Sequence, residues 1–331
     1  MKLDLHVPGL LAAPARLIAN LGLPDAPALR EWCARAAGRP ARRGRFGFIE
    51  ALLGTERAPL AALAWLGATG ERARSSTFFA TPVHLQAGMS DLVLFSGPTL
   101  RVSDDERARL AQDIGVFFGA EPALCFHGGQ MFLQAPQNLD VRTTPLHEVL
   151  GQAVREHLPR GADASRVHGW MNELQMFLHG HAINRERTAR GLPSLNGIWP
   201  WGEGGLPDGV RRDNLVVFAE TLPMRGLGLL TGEARERTMI GDMLPSNGHH
   251  VVEISACADA LDADDVEGWR NAVEKVSNEI LQPVLDWLAA HRDAGAVLHA
   301  GDGSSRTLRG GKENPFRRLF RRAAAPRVVM E

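Results

Sequence analysis

Apolar and polar positions follow a two-residue period in several short runs and a helical period in a few longer ones. Leu3–Val7 reads as a first strand, and the Ala- and Leu-rich stretch that follows to residue 74 reads as helical. Residues 81–140 change character. TPVHLQAG and DLVLFSG read as strands, and Ser103-Asp104-Asp105-Glu106 is a capping box that opens a helix. That helix places Leu110, Ile114, Phe117 and Phe118 on one side. ALCFHGGQMFLQA then reads as a hairpin around Gly128-Gly129, which completes a β-β-α-β-β block. In the second half NLVVFAET and HHVVEISAC are strands. Asp262, Asp264 and Asp265 supply the start of a long helix with an apolar stripe from Val266 and Trp269 to Val284 and Trp287. Pro283 is expected to kink it. AVLHAGDG and SSRTLRG predict a terminal hairpin that turns at Asp302-Gly303.

Strands in both hairpin and strand–helix–strand contexts predict an α/β (mixed α+β) fold, a central mixed β-sheet flanked by helices. The 331 residues are expected to form one large domain, with a weak boundary near 159–168 and a basic C-terminal tail at 311–331. The tail interleaves Phe316, Leu319 and Phe320 with arginines and reads as a docked terminal helix. Arg39–Arg45 carries an arginine cluster that reads as a solvated loop.

A formal net charge of −1 removes the global electrostatic case for nucleic acid or a membrane surface as partner. No apolar run approaches the roughly 20 residues of a spanning helix. Cys33, Cys125 and Cys257 are scattered and in no C-x-x-C pattern, so they are expected to be reduced thiols in a cytoplasmic protein.

The stretch with the most site-type side chains is WMNELQMFLHGHAINRERTARGLPSLNGIWPWGEGG, residues 170–205. As one helix, residues 171–187 would put Leu174, Leu178, His181 and Arg185 on one face. Either the helix breaks near Gly180, or His181 and Arg185 are buried with partners such as Glu173 or Glu203. His179 and His181 form an H-x-H pair with no third metal ligand at a recognisable spacing, and His249-His250 on a strand face opposite ways. The loop LNGIWPWGEGG can wall a pocket with indoles and let backbone approach a ligand, or it can be a rigid turn capped by packed tryptophans.

NELQMFLHGHAINRERTARGLPSLNGIWPWGEG resembles the signature segment of the RpfE-type regulatory protein family of proteobacteria, which is distantly similar to the archaeal-type cofactor-independent phosphoglycerate mutases. His181, Asn184 and Arg187 carry the first part of the pattern. Pro193, Asn196, Trp199, Trp201, Gly202 and Gly204 carry the second. TPVHLQAGMSDLVLF also resembles a family strand, with Thr81 in place of an expected Asp. The resemblance implies an alkaline-phosphatase-like fold, and for the mutases two divalent metals held by Asp and His with a Ser nucleophile. The sequence has Asp4 but no D-G-x-G-D run, no matching nucleophile loop and no D-x-x-x-H pair near its end.

The expectation is therefore a degenerate, non-catalytic mutase relative without a cofactor, which binds a small anionic molecule or a protein partner. Its ligand-binding candidates are Glu173, His181, Asn184, Arg185, Arg187, Asn196, Trp199, Trp201 and Gly202, and no catalytic residue or metal ligand is assigned. The alternative is a metal-dependent, phosphoglycerate mutase-like phosphotransferase or phosphohydrolase.

Overall fold

The computed structural model describes residues 1–14, 22–88, 91–119 and 121–311. In chain order, β1 (Lys2–His6) leads to α1 (Pro27–Arg35), β2 (Ala37–Arg43) and α2 (Gly47–Leu53). Then come α3 (Leu60–Thr69), β3 (Thr77–Ala87), β4 (Leu92–Phe95), α4 (Asp104–Phe118), β5 (Ala123–His127), β6 (Gln130–Gln134), α5 (Ala164–His179), α6 (Ala182–Ala189) and β7 (Gly197–Trp201). The chain ends with β8 (Leu215–Ala219), α7 (Leu222–Thr231), β9 (Glu233–Glu236), β10 (His249–Glu253), α8 (Ala256–Asp262), α9 (Val266–Lys275), α10 (Gln282–Ala290), β11 (Gly295–His299) and β12 (Asp302–Arg309).

These elements form two compact units rather than one domain. One comprises Met1–Ala58 and the chain from Gly209 onward; the other is Pro59–Asp208. The segment 159–168, expected as a boundary, lies inside the second unit. The second unit is an insertion, and its boundaries fall at Ala58/Pro59 and at the end of the Gly- and Pro-rich stretch 202–209. Apart from Gly311, the basic tail lies outside the described residues.

The first unit holds a seven-stranded mixed sheet in the order β2-β12-β11-β1-β10-β8-β9. Strands β11, β1, β10, β8 and β9 are parallel, and β12 and β2 join antiparallel at the edge. On one face Leu3, Leu5, Val252, Ala296 and Leu298 pack with Trp32, Trp269, Val284 and Trp287 in a buried core. The long helical stripe is interrupted: α9 passes through a π-helical turn, Val276–Leu281, into α10, where Pro283 is in the first turn. The wider turn spares the proline a clash with the carbonyl four residues back. Within the turn the Ser277 hydroxyl accepts from the Ala28 and Leu29 amides and caps α1. The arginine cluster is the edge strand β2 and not a loop, because β12 supplies its hydrogen-bonding partners. The terminal hairpin is present and turns through residues 300–304, around the expected Asp302-Gly303, with His299 and Ser305 its last pair, while Asp302 also pairs with Arg43 on β2.

The second unit holds the expected β-β-α-β-β block. Its sheet is antiparallel, in the order β4-β3-β6-β5, with β7 pairing along β3. The capping box at Ser103–Glu106 is present, and Leu110 and Ile114 of α4 join Trp170, Leu174 and Leu178 of α5 in its core.

Candidate functional site

In the motif stretch the helix breaks at Gly180, between α5 and α6. The break removes the single-helix projection, and His181 becomes the N-cap of α6. Its Nδ1 accepts from the Ile183 amide at 3.3 Å, and its Nε2 is 3.2 Å from an Asp113 carboxylate oxygen. His179 ends α5 exposed, so the two histidines serve different helices. Arg185 is exposed and donates to the Gly180 carbonyl at 2.8 Å, and Glu173 is exposed on α5.

The interior of the motif is a closed network. Arg187 is fully buried and donates to Glu106 at 2.7 Å, to the Pro193 carbonyl at 2.8 Å and to the Leu100 carbonyl. Its carboxylate is thus the capping-box glutamate. Glu203, expected as a partner for His181 or Arg185, accepts from Thr143. The Asn184 amide donates to the Leu178 and Leu195 carbonyls at 2.8 Å each and accepts from the Leu195 N–H at 2.7 Å. Asn196 exchanges the same kind of pair with the Leu85 backbone, at 2.6 and 2.8 Å. The indoles of Trp199 and Trp201 donate to the Thr144 carbonyl and to Thr81 Oγ1, so Thr81 has a structural partner where the pattern has Asp. Gly202, at φ +77°, accepts from the Ala61 N–H at 2.8 Å. Trp199 borders a pocket of about 290 Å³ with Leu85, Met171 and Gln175. His181, Arg185, Asn184, Asn196, Trp199 and Trp201, expected around one pocket, are not brought together around that space.

The first unit carries a different constellation. In β1 alternate residues Leu3 and Leu5 enter the core, which turns Lys2, Asp4 and His6 to the opposite face of the sheet. His249 on β10 and His299 on β11 share that face, in register with Lys2 and His6. Their Nε2 atoms lie 2.5 and 3.3 Å from the two Asp4 oxygens, and Lys2 Nζ is 2.9 Å from one of them. Burial pushes the Asp4 carboxyl up, but the hydrogen bonds from His249 and His299 and the Lys2 charge outweigh it and hold it well below the usual carboxylate range. His6 is 3% exposed, packs against Phe48, and has an unpartnered buried Nδ1. Burial, with the charges of His299 and Arg45, pushes its pKa down to about 3. His250 points the other way, to the Met243 carbonyl, as strand alternation requires.

Above this face lies a cleft of about 960 Å³. It is lined by five cationic side chains, Lys2, Arg35, Arg39, Arg212 and Arg309, and one carboxylate, Asp4. Ser305, Thr307 and His299 contribute polar groups, and Phe48, Ala51 and Leu52 of α2 form an apolar wall. Arg212 is braced by a 2.8 Å hydrogen bond to the Leu52 carbonyl. The sequence signal for this site was the charged period within β1, since a parallel strand covered on both faces is ordinarily apolar throughout. Its convergence with β10, β11 and β12 came only from the topology.

The thiols contribute little here. Cys33, Cys125 and Cys257 are all unpaired, and burial pushes Cys125 up to about 11 and Cys257 up to about 12. No described helix is long and apolar enough to cross a membrane.

Comparison with known proteins places this architecture in a class. The fold matches that of the PH0037 protein from Pyrococcus horikoshii, with a TM-score of 0.61 at 13% identity over 94% of this chain and 87% of that one. The sequence is similar to 2,3-bisphosphoglycerate-independent phosphoglycerate mutases. It is 28% identical over 182 residues to that of Methanothrix thermoacetophila, covering 48% of this chain and 46% of the relative. It is 28% identical over 184 residues to mutase 2 of Methanothermobacter thermautotrophicus, covering 48% and 45%. A probable mutase of Geobacter sulfurreducens is 35% identical over 94 residues, covering 27% and 23%. The chain spans about half the length or less of these relatives. No protein-family model matches it. The chain is thus phosphoglycerate mutase-like, related to the archaeal-type cofactor-independent enzymes.

The two-metal set implied by that kinship does not fit the described residues. They contain no group of three His, Cys, Asp or Glu side chains placed to hold an ion. The buried carboxylate nearest to such a role, Asp4, has both oxygens engaged by imidazoles and one by an ammonium as well.

Proposed function

We propose that this phosphoglycerate mutase-like protein acts by binding a small anionic, phosphorylated ligand in the cleft over β1, β11 and β12, in a regulatory role of the RpfE type rather than as a phosphotransferase. The observation that carries the reading is the charge balance of the cleft, five cationic side chains against one carboxylate. That carboxylate faces Lys2 and two imidazoles, so it offers an incoming anion little repulsion. Arg39, Arg212 and Arg309 are exposed and suit phosphate and carboxylate oxygens, which guanidinium groups can meet in pairs, while Arg35 is already paired with Glu31 at 2.6 Å. Phosphoglycerate, after which the relatives are named, belongs to this ligand class.

The test is calorimetric titration of the full chain with 3-phosphoglycerate at low and high salt. Saturable, salt-sensitive binding is expected, weakened at least tenfold by the Arg39→Ala/Arg309→Ala pair. Absence of binding by 3-phosphoglycerate and by inorganic polyphosphate would remove the reading. Interconversion of 3- and 2-phosphoglycerate in the presence of manganese would instead restore the metal-dependent phosphotransferase.

A further inference from the structure

We infer that the cleft is built for a nucleoside polyphosphate, with the base laid against α2 and the phosphate chain running along the face of β12. The inference rests on the anion-binding reading above and narrows it to one ligand class.

Size is the first reason. A cleft of about 960 Å³ stands at the upper end of the range, ~300–1,000 Å³, that encloses drug-sized ligands. A three-carbon phosphate ester would leave most of it to water.

The spacing of the cationic groups is the second. Arg309 pairs in register with Gly295, Thr307 with Val297 and Ser305 with His299, while Arg39 stands opposite Ser305 on β2. At ~3.4 Å of rise per residue, Ser305 and Arg309 are about 14 Å apart along the strand. Arg309 and Arg39 therefore mark opposite ends of a track, with the hydroxyls of Thr307 and Ser305 between them. An extended phosphate chain matches the length of this track better than a single phosphate does. The hydroxyls are placed to donate to oxygens along the way, and Lys2 flanks the track from β1.

The third reason is that the cleft has two chemistries, cations and hydroxyls on β12 and β2 and an apolar wall on α2 that Arg212 borders through its bond to the Leu52 carbonyl. The wall given by α2 is apolar, with Phe48 and Leu52 nearly buried and Ala51 open to the space. A ligand that is anionic throughout would leave this wall in contact with water. One with a planar apolar part and a polyanionic part satisfies both sides, and the burial of a ring contributes at the usual ~25 cal/mol per Å² of apolar surface.

The experiment compares ATP, inorganic tripolyphosphate and adenosine by calorimetry on the full chain at fixed salt, with 3-phosphoglycerate as reference. ATP is expected to bind at least tenfold more tightly than tripolyphosphate. Ala51→Gln, at an exposed position, is expected to abolish that difference and leave tripolyphosphate binding in place. The Arg39→Ala/Arg309→Ala pair, also at exposed positions, is expected to weaken both ligands. Equal affinity for ATP and tripolyphosphate would overturn the nucleotide assignment while leaving an anion site. Persistence of the ATP preference in Ala51→Gln would overturn the placement of the base. No binding by tripolyphosphate, ATP or 3-phosphoglycerate would overturn the anion-binding reading as well.

Discussion

Asp4 and His249 meet at 2.5 Å across neighbouring parallel strands, although the residue paired in register with His249 is Lys2. The imidazole reaches diagonally over the sheet face, and Lys2 turns its ammonium to the same oxygen. Asp4→Asn keeps the shape and removes the charge that these groups share. Hydrogen bonds to ionised groups contribute about 1.5–3 kcal/mol each, so a loss of about 2–3 kcal/mol is expected at pH 7. The folded carboxyl is held below its unfolded value, so its contribution is present above the ordinary carboxylate range and lost as pH falls. Urea unfolding at pH 7 and at pH 3 should show the gap between wild type and variant closing at the lower pH.

His6 titrates in the opposite sense from a paired histidine. Its pKa is pushed from 6.5 to about 3, so the folded protein keeps it neutral where the unfolded chain protonates it. The unfolded state then binds more protons between those values, and stability rises with pH across the window. The benefit is complete above about pH 6.5 and is lost progressively towards pH 3. His6→Leu removes both the titration and an unpartnered buried nitrogen, so the variant is expected to match wild type or exceed it at pH 5. Thermal melting at half-unit steps from pH 4 to 7 measures this as a flatter slope.

Arg187 and Glu106 form a buried pair whose members also hold backbone: Glu106 accepts from the Ser103 N–H, and Arg187 donates to two carbonyls. Arg187→Met leaves the buried carboxylate only the Ser103 N–H and Arg190 at 3.7 Å and frees those carbonyls, at an expected cost of about 3 kcal/mol. Adding Glu106→Gln should recover part of that loss, because the buried charge is gone. A double-mutant cycle by urea unfolding reads the coupling, and additive losses would contradict it.

Local chemistry made much of this fold legible, and long-range convergence did not. The capping box at Ser103 and the block from β3 to β6 follow from short-range periodicity and capping, and both are present. The alternation that sends His249 and His250 to opposite faces is equally local. Although residues 202–209 are Gly- and Pro-rich, the insertion of Pro59–Asp208 was hidden because short-range patterns do not tell that a chain leaving a sheet later returns to it. For the same reason Asp4, His249 and His299 could not be assembled from sequence, being 245 and 295 residues apart in the two pairs. The motif stretch drew notice because its side chains are polar, but most of that polarity is spent on backbone. Asn184 and Asn196 substitute for strand and helix partners, and the network needs specific residue types as strictly as a binding site would.

Gly202 separates these two explanations of the motif. Its φ of +77° is a left-handed conformation, which costs a residue with a Cβ about 1–2 kcal/mol. A Cβ there would also lie 3.1 Å from Phe79 Cδ2 and 3.3 Å from the Ala61 nitrogen, so the strand and α3 would have to give way. Gly202→Ala is expected to destabilise the protein by about 1–3 kcal/mol. Gly205, three residues on, has open space around it and an ordinary φ, so Gly205→Ala should stay within about 0.5 kcal/mol of wild type. If the glycine serves packing, the folded Gly202→Ala variant binds tripolyphosphate with wild-type affinity. A stability equal to wild type combined with lost binding would instead return the loop to the ligand-binding role its sequence first suggests.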